Sequence, residues 1–388
     1  MVVSIARKNL FAEKTRFFVS VGGVAFSILL IVFLLGVYNA FQRLFIDYVE
    51  SFAADLVVAQ EGVTDMSHTF SLLDINKMSQ IETISGGSVY GLVNRTTNAR
   101  VREEDGSKII NFPGRKKGEN KKAKKATINL MGFEKESGVG GPPIMLSGSK
   151  TPGKREIIVD RVFSKQNELT LGDSVELFDE VFTITGITDK NNMMLYTRAF
   201  VDLDEAQEVL RQKGQVNFIL VSLPDPSRAS EVVEKLESNI AGITVYKKSD
   251  FAKSNAKALM DTFVPIILVI TVIGFATGAV VVGLTIYTAT MEKIKEYGVL
   301  KAIGSTNRRL FFVVFEQALW SSLLGYILGI FLAWLVSKLV VDVINMVVEF
   351  NLATYILALG ASILMSFVAT YIPIMKIAKT DPAMVFRS

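Results

Sequence analysis

Long apolar runs, set apart by one extended stretch of short alternating patterns, organise this sequence. Four runs are long enough to cross a bilayer, which takes about 20 apolar residues. They lie between Arg16 and Arg43, between Asp261 and Glu292, from after Arg309 to near Lys338, and between Glu349 and Lys376. The first run is too long for a cleavable signal peptide, and no small-residue cleavage site follows it. Between the first and second runs the pattern shortens. Glu156–Asp160 (EIIVD) reads as a strand and Ser174–Ile187 as a β-hairpin. Asp202–Lys213 predicts an amphipathic helix with Leu203, Ala206, Val209 and Leu210 on one side, capped by Asp202 or Asp204 and ended by Gly214. Gln215–Leu223 returns as a strand. Ser227–Ile240 is a second helix with Val232, Val233, Leu236 and Ile240 as its stripe, and Thr244–Tyr246 closes as a strand. The fold class is an integral membrane α-helical protein with four transmembrane helices and a large α+β extracytoplasmic domain inserted between helices 1 and 2.

Charge supplies the orientation, because short cytoplasmic loops carry the excess of Lys and Arg. Arg7, Lys8, Lys14 and Arg16 precede the first run. Lys293, Lys295, Lys301, Arg308 and Arg309 lie between the second and third, and Lys376, Lys379 and Arg387 follow the fourth. These three regions are therefore cytoplasmic. The expected order is a cytoplasmic amphipathic helix at 1–16, with Ile5, Leu10 and Phe11 among basic residues, and transmembrane helix 1 at 17–42. An extracytoplasmic domain follows at 43–261, helix 2 at 262–290, a cytoplasmic loop at 291–309 and helix 3 at 310–337. A short external loop at 338–349, helix 4 at 350–375 and a cytoplasmic end at 376–388 complete it.

Composition then removes chemistry. Of 388 residues 50% are hydrophobic and 21% charged, below the roughly 25% of an average soluble domain. There is no cysteine, which excludes disulfides, thiolate metal sites and a Cys nucleophile. The single histidine, His68, cannot build a multi-His metal site, and it reads as a surface or structural residue. The net charge of +4 is too mild to imply nucleic acid. Ser147–Thr151 (SGSKT) lacks the Gly-Lys-Thr order, the upstream glycine and the following helix of a phosphate cradle. Catalytic residues, a metal site and a cofactor are thus not expected in this chain. Arg115–Lys125 (RKKGENKKAKK) reads as a solvated loop, with anionic lipid or an acidic partner as the sharper alternative.

Three features remain. Glu316 is the charge inside the third run, either functional or paired near the headgroups. Gly274 and Gly278 in the second run, extended by Gly283, and Gly325 and Gly329 in the third, allow close helix approach; the second run is the better dimerisation candidate. Pro265 permits a bend there. Last, Met291–Ile303 predicts a short helix with Ile294, Tyr297, Leu300 and Ile303 on one face and Glu292, Lys293, Lys295, Glu296 and Lys301 around it. Gly304 stops it and Ser305 caps the next helix. Such an element suits docking into a groove on a soluble partner, or lying on lipid.

At KIKEYGVLKAIGSTNRRL, FEQALWSSLLGYILG, KIAKTDPAMVFRS and REIIVD…LTLGDSVEL…FTITGI the chain resembles the MacB/FtsX-type ABC transporter permease family. AADLVVAQEGVTDMSHTF also resembles a subgroup that includes haem-export and DevC-like permeases. The resemblance implies a homodimer in the bacterial inner membrane with two copies of an ABC ATPase subunit, which bind the ATP and Mg. It leaves room for a membrane-fusion protein or another extracytoplasmic partner. Glu292–Gly304 would correspond to the coupling helix, with Ile294, Tyr297, Leu300 and Ile303 inserted into the ATPase and Glu292, Lys293, Glu296 and Lys301 setting orientation. The implied activity is export of a hydrophobic or amphiphilic substrate by movement of the external domain. The alternative is a mechanotransmission or signalling module that activates an extracytoplasmic partner without transporting a solute. The resemblance does not extend to a fused ATPase domain.

Overall fold

The computed structural model describes residues 14–66, 70–102, 126–191, 196–344 and 347–379. His68, the basic run Arg115–Lys125 and the segment holding Ile5, Leu10 and Phe11 lie outside the described residues. The chain divides into two compact units, Phe41–Asp261 and Met1–Ala40 with Thr262–Ser388.

In chain order the elements are α1 (Lys14–Glu50), β1 (Leu56–Gln60), β2 (Leu73–Asp74), α2 (Asn76–Ser85), β3 (Ser88–Arg102), β4 (Ala126–Phe133) and β5 (Met145–Gly148). Next come β6 (Glu156–Asp160), α3 (Arg161–Gln166), β7 (Ser174–Leu177), β8 (Glu180–Thr188), β9 (Thr197–Asp202) and α4 (Leu203–Val209). Then follow β10 (Gln215–Val216), β11 (Phe218–Ser222), α5 (Ala229–Asn239), β12 (Ile243–Lys247), α6 (Lys248–Glu292), α7 (Ile294–Ala302), α8 (Asn307–Ile344) and α9 (Leu352–Lys379).

The external unit is built on a mixed sheet ordered β12-β1-β11-β3-β4-β9-β6-β8-β5, with β7 pairing both β3 and β8. That double pairing closes β3, β4, β9, β6, β8 and β7 into a ring of strands. β3 is long enough to serve both parts. Its Val89–Leu92 stretch pairs β11, and its Arg100–Arg102 end pairs β7. Alternation along each strand divides the apolar residues between two faces. Leu56, Val58, Leu130, Val159, Val201 and Val221 face a core completed by Ile81 of α2 and Leu236 of α5. Val57, Ala59, Met131, Ile158, Phe200 and Leu220 face the other side, covered by Tyr48, Val49, Phe52, Phe251 and Ala252.

The hairpin at Ser174–Ile187 forms as β7 and β8, joined by Phe178 and Asp179 with φ of 51° and 64°. Two positive φ values match the right-handed strand twist. Other expectations change. α4 ends at Val209 rather than Lys213, because Arg211 turns left-handed (φ 55°) and Gln212 N–H reaches back to the Gln207 carbonyl at 2.9 Å. Asp202 does not cap it with its side chain, which binds Lys135 at 2.7 Å. Gln215–Leu223 is split at Asn217, whose side chain donates to Ser71 O and accepts from Asn94 N–H.

Among the described residues of the membrane unit, four helices are long and apolar enough to span. α1 sits among the others through small residues. A Cβ on Gly325 or Gly329 would fall within 3 Å of Val24 or of Ile28 and Ala25, and one on Gly278 would meet Ser27 and Met365. Close backbone approach of this kind replaces the hydrophobic drive that lipid cannot supply. α6 is continuous through Pro265. α8 continues past 337 to Ile344, because its apolar pattern persists into Val340–Ile344.

Candidate functional site

The short helix α7 hangs between the ends of α6 and α8. Its C-terminus is built by Gly304 at φ 97°. Gly304 N–H bonds Lys301 O at 3.0 Å, and Ser305 N–H bonds Leu300 O at 2.9 Å. This pair of bonds is the Schellman closure, which needs a left-handed residue at that point. The next helix starts at Asn307, with the Thr306 carbonyl opening its ladder, so Ser305 lies one residue too early to cap it.

The expected apolar edge of α7 is divided by the fold. Tyr297 is 5% exposed and joins the buried cluster of Val314, Ala318 and Ile377. Its hydroxyl shares a hydrogen bond with Gln317, and burial pushes its pKa up against that bond. Leu300 packs against the same cluster, and Ile294 is half-buried. Ile303 is 76% exposed and Val299 44%. The outward face therefore consists of Lys295, Glu296, Val299, Ala302 and Ile303.

Two charged residues expected on that face serve this chain. Glu292 accepts both guanidinium nitrogens of Arg16, which joins the start of α1 to the end of α6. Solvent screens an exposed pair of this type, so its role is geometry rather than stability. Lys301 Nζ donates to Ile377 O at 2.8 Å and to Ala378 O at 2.9 Å, at the end of α9. Lys293 is half-buried at the N-terminal boundary of α7, and Glu296 is exposed. Nothing local in the sequence signals the Arg16–Glu292 or Lys301–Ile377 pairings, which span 276 and 76 residues of chain.

The glycines singled out on α6 are used within the chain. Gly274 faces Leu30, Gly278 faces Ser27 and Met365, and Gly283 faces Ala369. A different face of α6 is exposed, through Ile266, Leu268, Val269, Val272 and Ile273. Glu316 is half-buried. It lies one turn beyond the exposed Phe312 and one turn before the exposed Trp320. Among the described residues no group of three or more His, Asp or Glu side chains could hold a metal.

The family described as MacB-like periplasmic core domain matches residues 17–239, and FtsX-like permease C-terminal matches residues 263–382. The chain is 25% identical over 231 residues to an uncharacterized ABC transporter permease of Methanocaldococcus jannaschii, covering 55% of this chain and 57% of that one. A second, from Mycobacterium tuberculosis, is 21% identical over 193 residues, covering 47% of this chain and 22% of the relative. The matched segment is thus little more than half of the first relative and under a quarter of the second. HrtB of Staphylococcus epidermidis, named as a candidate hemin transport system permease, is 22% identical over 287 residues, covering 73% and 78%. The crystal structure of the periplasmic region of MacB from Actinobacillus actinomycetemcomitans matches with a TM-score of 0.36 at 12% identity, covering 55% of this chain and 95% of that one.

Proposed function

The chain belongs to the ABC transporter permeases of the MacB and FtsX type, and from that premise we propose that it couples ATP hydrolysis by a separate ATPase subunit to movement of its periplasmic domain. The product of that movement is extrusion of a hydrophobic or amphiphilic substrate from the membrane or periplasm. Two such permeases pair as a homodimer, with one ATPase copy beneath each. Both termini and α7 face the cytoplasm, as their basic residues favour.

The observation that carries this reading is the two-sided character of α7. Its inner side is fixed to the bundle by Tyr297, Leu300 and Lys301. Its outer side presents Ile303 and Val299 among Lys295 and Glu296. An isolated apolar knob ringed by charge fits a groove on a soluble protein, the charges setting orientation. The contact residues are therefore Lys295, Glu296, Val299, Ala302 and Ile303, with Tyr297 and Leu300 acting as the base that holds them. Ile266, Leu268 and Val272 on the open face of α6 face lipid or the second copy. The name of HrtB as a hemin transport permease makes haem a rational first amphiphile to assay.

The test replaces Ile303 and Val299 with Asp in the full chain and measures how much ATPase subunit co-purifies and its stimulated turnover. Both are expected to fall more than tenfold while membrane insertion is unchanged. Undiminished recruitment and turnover would overturn the docking assignment. Stimulation by a purified amphiphile marks export, whereas stimulation requiring a second protein marks the signalling alternative.

A further inference from the structure

We propose that Lys301 is a positioning residue that makes α7 and the last span, α9, move as one body; the proposal rests on the reading of α7 as the ATPase-docking helix. The two carbonyls it binds, on Ile377 and Ala378, belong to α9, whose described residues run to Lys379. The residue four positions after Ala378 in the sequence is a proline, which has no N–H to offer the Ala378 carbonyl, so that oxygen takes its donor from elsewhere. One ammonium on a flexible stem donates to both carbonyls.

The neighbouring contacts explain why this tie conveys displacement. Tyr297, one turn before Lys301, lies in the same buried cluster as Ile377, so the apolar and polar contacts to α9 share one side of α7. The opposite side carries Val299, Ala302 and Ile303, open to a partner. Two other polar ties nearby lead elsewhere, Glu292 to Arg16 on α1 and Tyr297 to Gln317 on α8. A partner pressing on Ile303 therefore acts on three spans at once, and Lys301 supplies a polar link to the fourth transmembrane helix.

The experiment uses the full chain in lipid nanodiscs. Because the sequence has no cysteine, spin labels at Ala302→Cys and Met375→Cys, both exposed, are unique. The distance distribution between them is expected to be narrow with Lys301 present. Lys301→Met, which keeps the stem and removes the donors, should widen it at least twofold. Lys301→Arg, which keeps donors and charge, should restore it. Lys301→Gln is a milder variant whose shorter stem cannot span both carbonyls, and it should also broaden the distribution. With the ATPase subunit present, Lys301→Met should retain recruitment, since the outward face is intact, but lose stimulated turnover about fivefold. An unchanged narrow distribution in both Lys301→Met and Lys301→Gln overturns the positioning role. If the wild-type chain recruits no ATPase, the proposed function falls while the distance measurement still decides the tie between α7 and α9.

Discussion

The Arg198 guanidinium lies 3.8 Å from the centre of the Tyr48 ring inside the external unit. Both residues are 3% exposed. The Tyr48 hydroxyl donates to Gly140 O at 3.0 Å, and its ring packs edge-on against Phe52. Arg198 has hydrogen bonding to Tyr196, yet its Nη1 has no hydrogen-bond partner among the described residues. Burial lowers its pKa, so the cation is held at a cost that the two tyrosines only partly offset. A desolvated cation–π contact contributes about 2 kcal/mol, while an unsatisfied buried donor costs about 1–3 kcal/mol. Arg198→Met, apolar and of similar length, is therefore expected to leave the melting temperature of the purified chain equal or higher. Arg198→Ala, which opens a cavity, should lower stability by about 2–4 kcal/mol. A large loss in the Met variant would show that the charge itself stabilises the fold.

Glycine substitutions separate packing from propensity in the membrane unit. A Cβ on Gly329 would lie 2.7 Å from Ala25 O and from Ile28 Cβ, while one on Gly22 would meet nothing within 4 Å. Backbone cannot yield as a side-chain tip can, so Gly329→Ala should cost about 1–3 kcal/mol by forcing α1 and α8 apart. Gly22→Ala should be neutral or stabilising. Thermal unfolding of the two variants in the same detergent checks the difference, and equal melting temperatures would contradict the assignment of Gly329 to the α1 interface.

The spans were legible because the bilayer as solvent demands long apolar helices, and Ser174–Ile187 was legible because alternation and a short polar turn are local signals. The ring of strands was not. It depends on β3 meeting β7 through Arg100–Arg102 and Ser174–Glu176, a pairing that no window of sequence contains. The break at Asn217 was missed for a related reason, since its amide is satisfied by Ser71 and Asn94 far away in sequence. On α7 the periodicity was real but its sense was inverted for Tyr297 and Leu300. A helix lying on a bundle buries its apolar stripe in its own chain, and Ile303 escapes because it is the C-terminal boundary residue, outside the helical repeat.

Glu231 gives a pH-dependent signature at the start of α5. Its carboxylate accepts from Arg228 Nε at 3.1 Å and from Lys235 Nζ at 2.7 Å. Those hydrogen bonds hold its pKa down at about 2, against an ordinary value of 4.5. A depressed carboxylate pKa contributes stability that is present above the unfolded value and lost as pH falls through the folded one. The window is therefore pH 4.5 down to about 2. Carbon-13 NMR of the Glu231 carboxyl should give a midpoint near 2, and Arg228→Gln or Lys235→Gln should each move it upward. Because the group is exposed, added salt should move it the same way. A midpoint that ignores both substitutions would refute the ion-pair origin.

At the other end of the membrane unit, the α8–α9 connection closes over Gly36. Glu349 N–H donates to Gly36 O at 3.0 Å, and Asn39 Nδ2 donates to Thr354 Oγ1 at 2.9 Å. Asn351 Oδ1 in turn accepts from Thr354 N–H at 2.8 Å, which starts α9. A Cβ on Gly36 would lie 2.6 Å from Phe350 Cε1 and 2.8 Å from Val348 Cγ1. The missing side chain is what lets the ring seat while the backbone bond forms. Gly36→Leu should therefore displace the connection and cost about 1–3 kcal/mol. Asn39→Ala, which removes the hydrogen bonds to Thr354 Oγ1 and Glu349 O at a half-buried site, should cost about 0.5–1.5 kcal/mol. The cause is separable from a general loss of helix packing, because adding Phe350→Ala to Gly36→Leu removes the ring that the new side chain strikes. Part of the melting temperature should then return, although Phe350→Ala alone is destabilising. Losses that simply add in the double variant would mean that Gly36 is needed for some reason other than the space it leaves for Phe350.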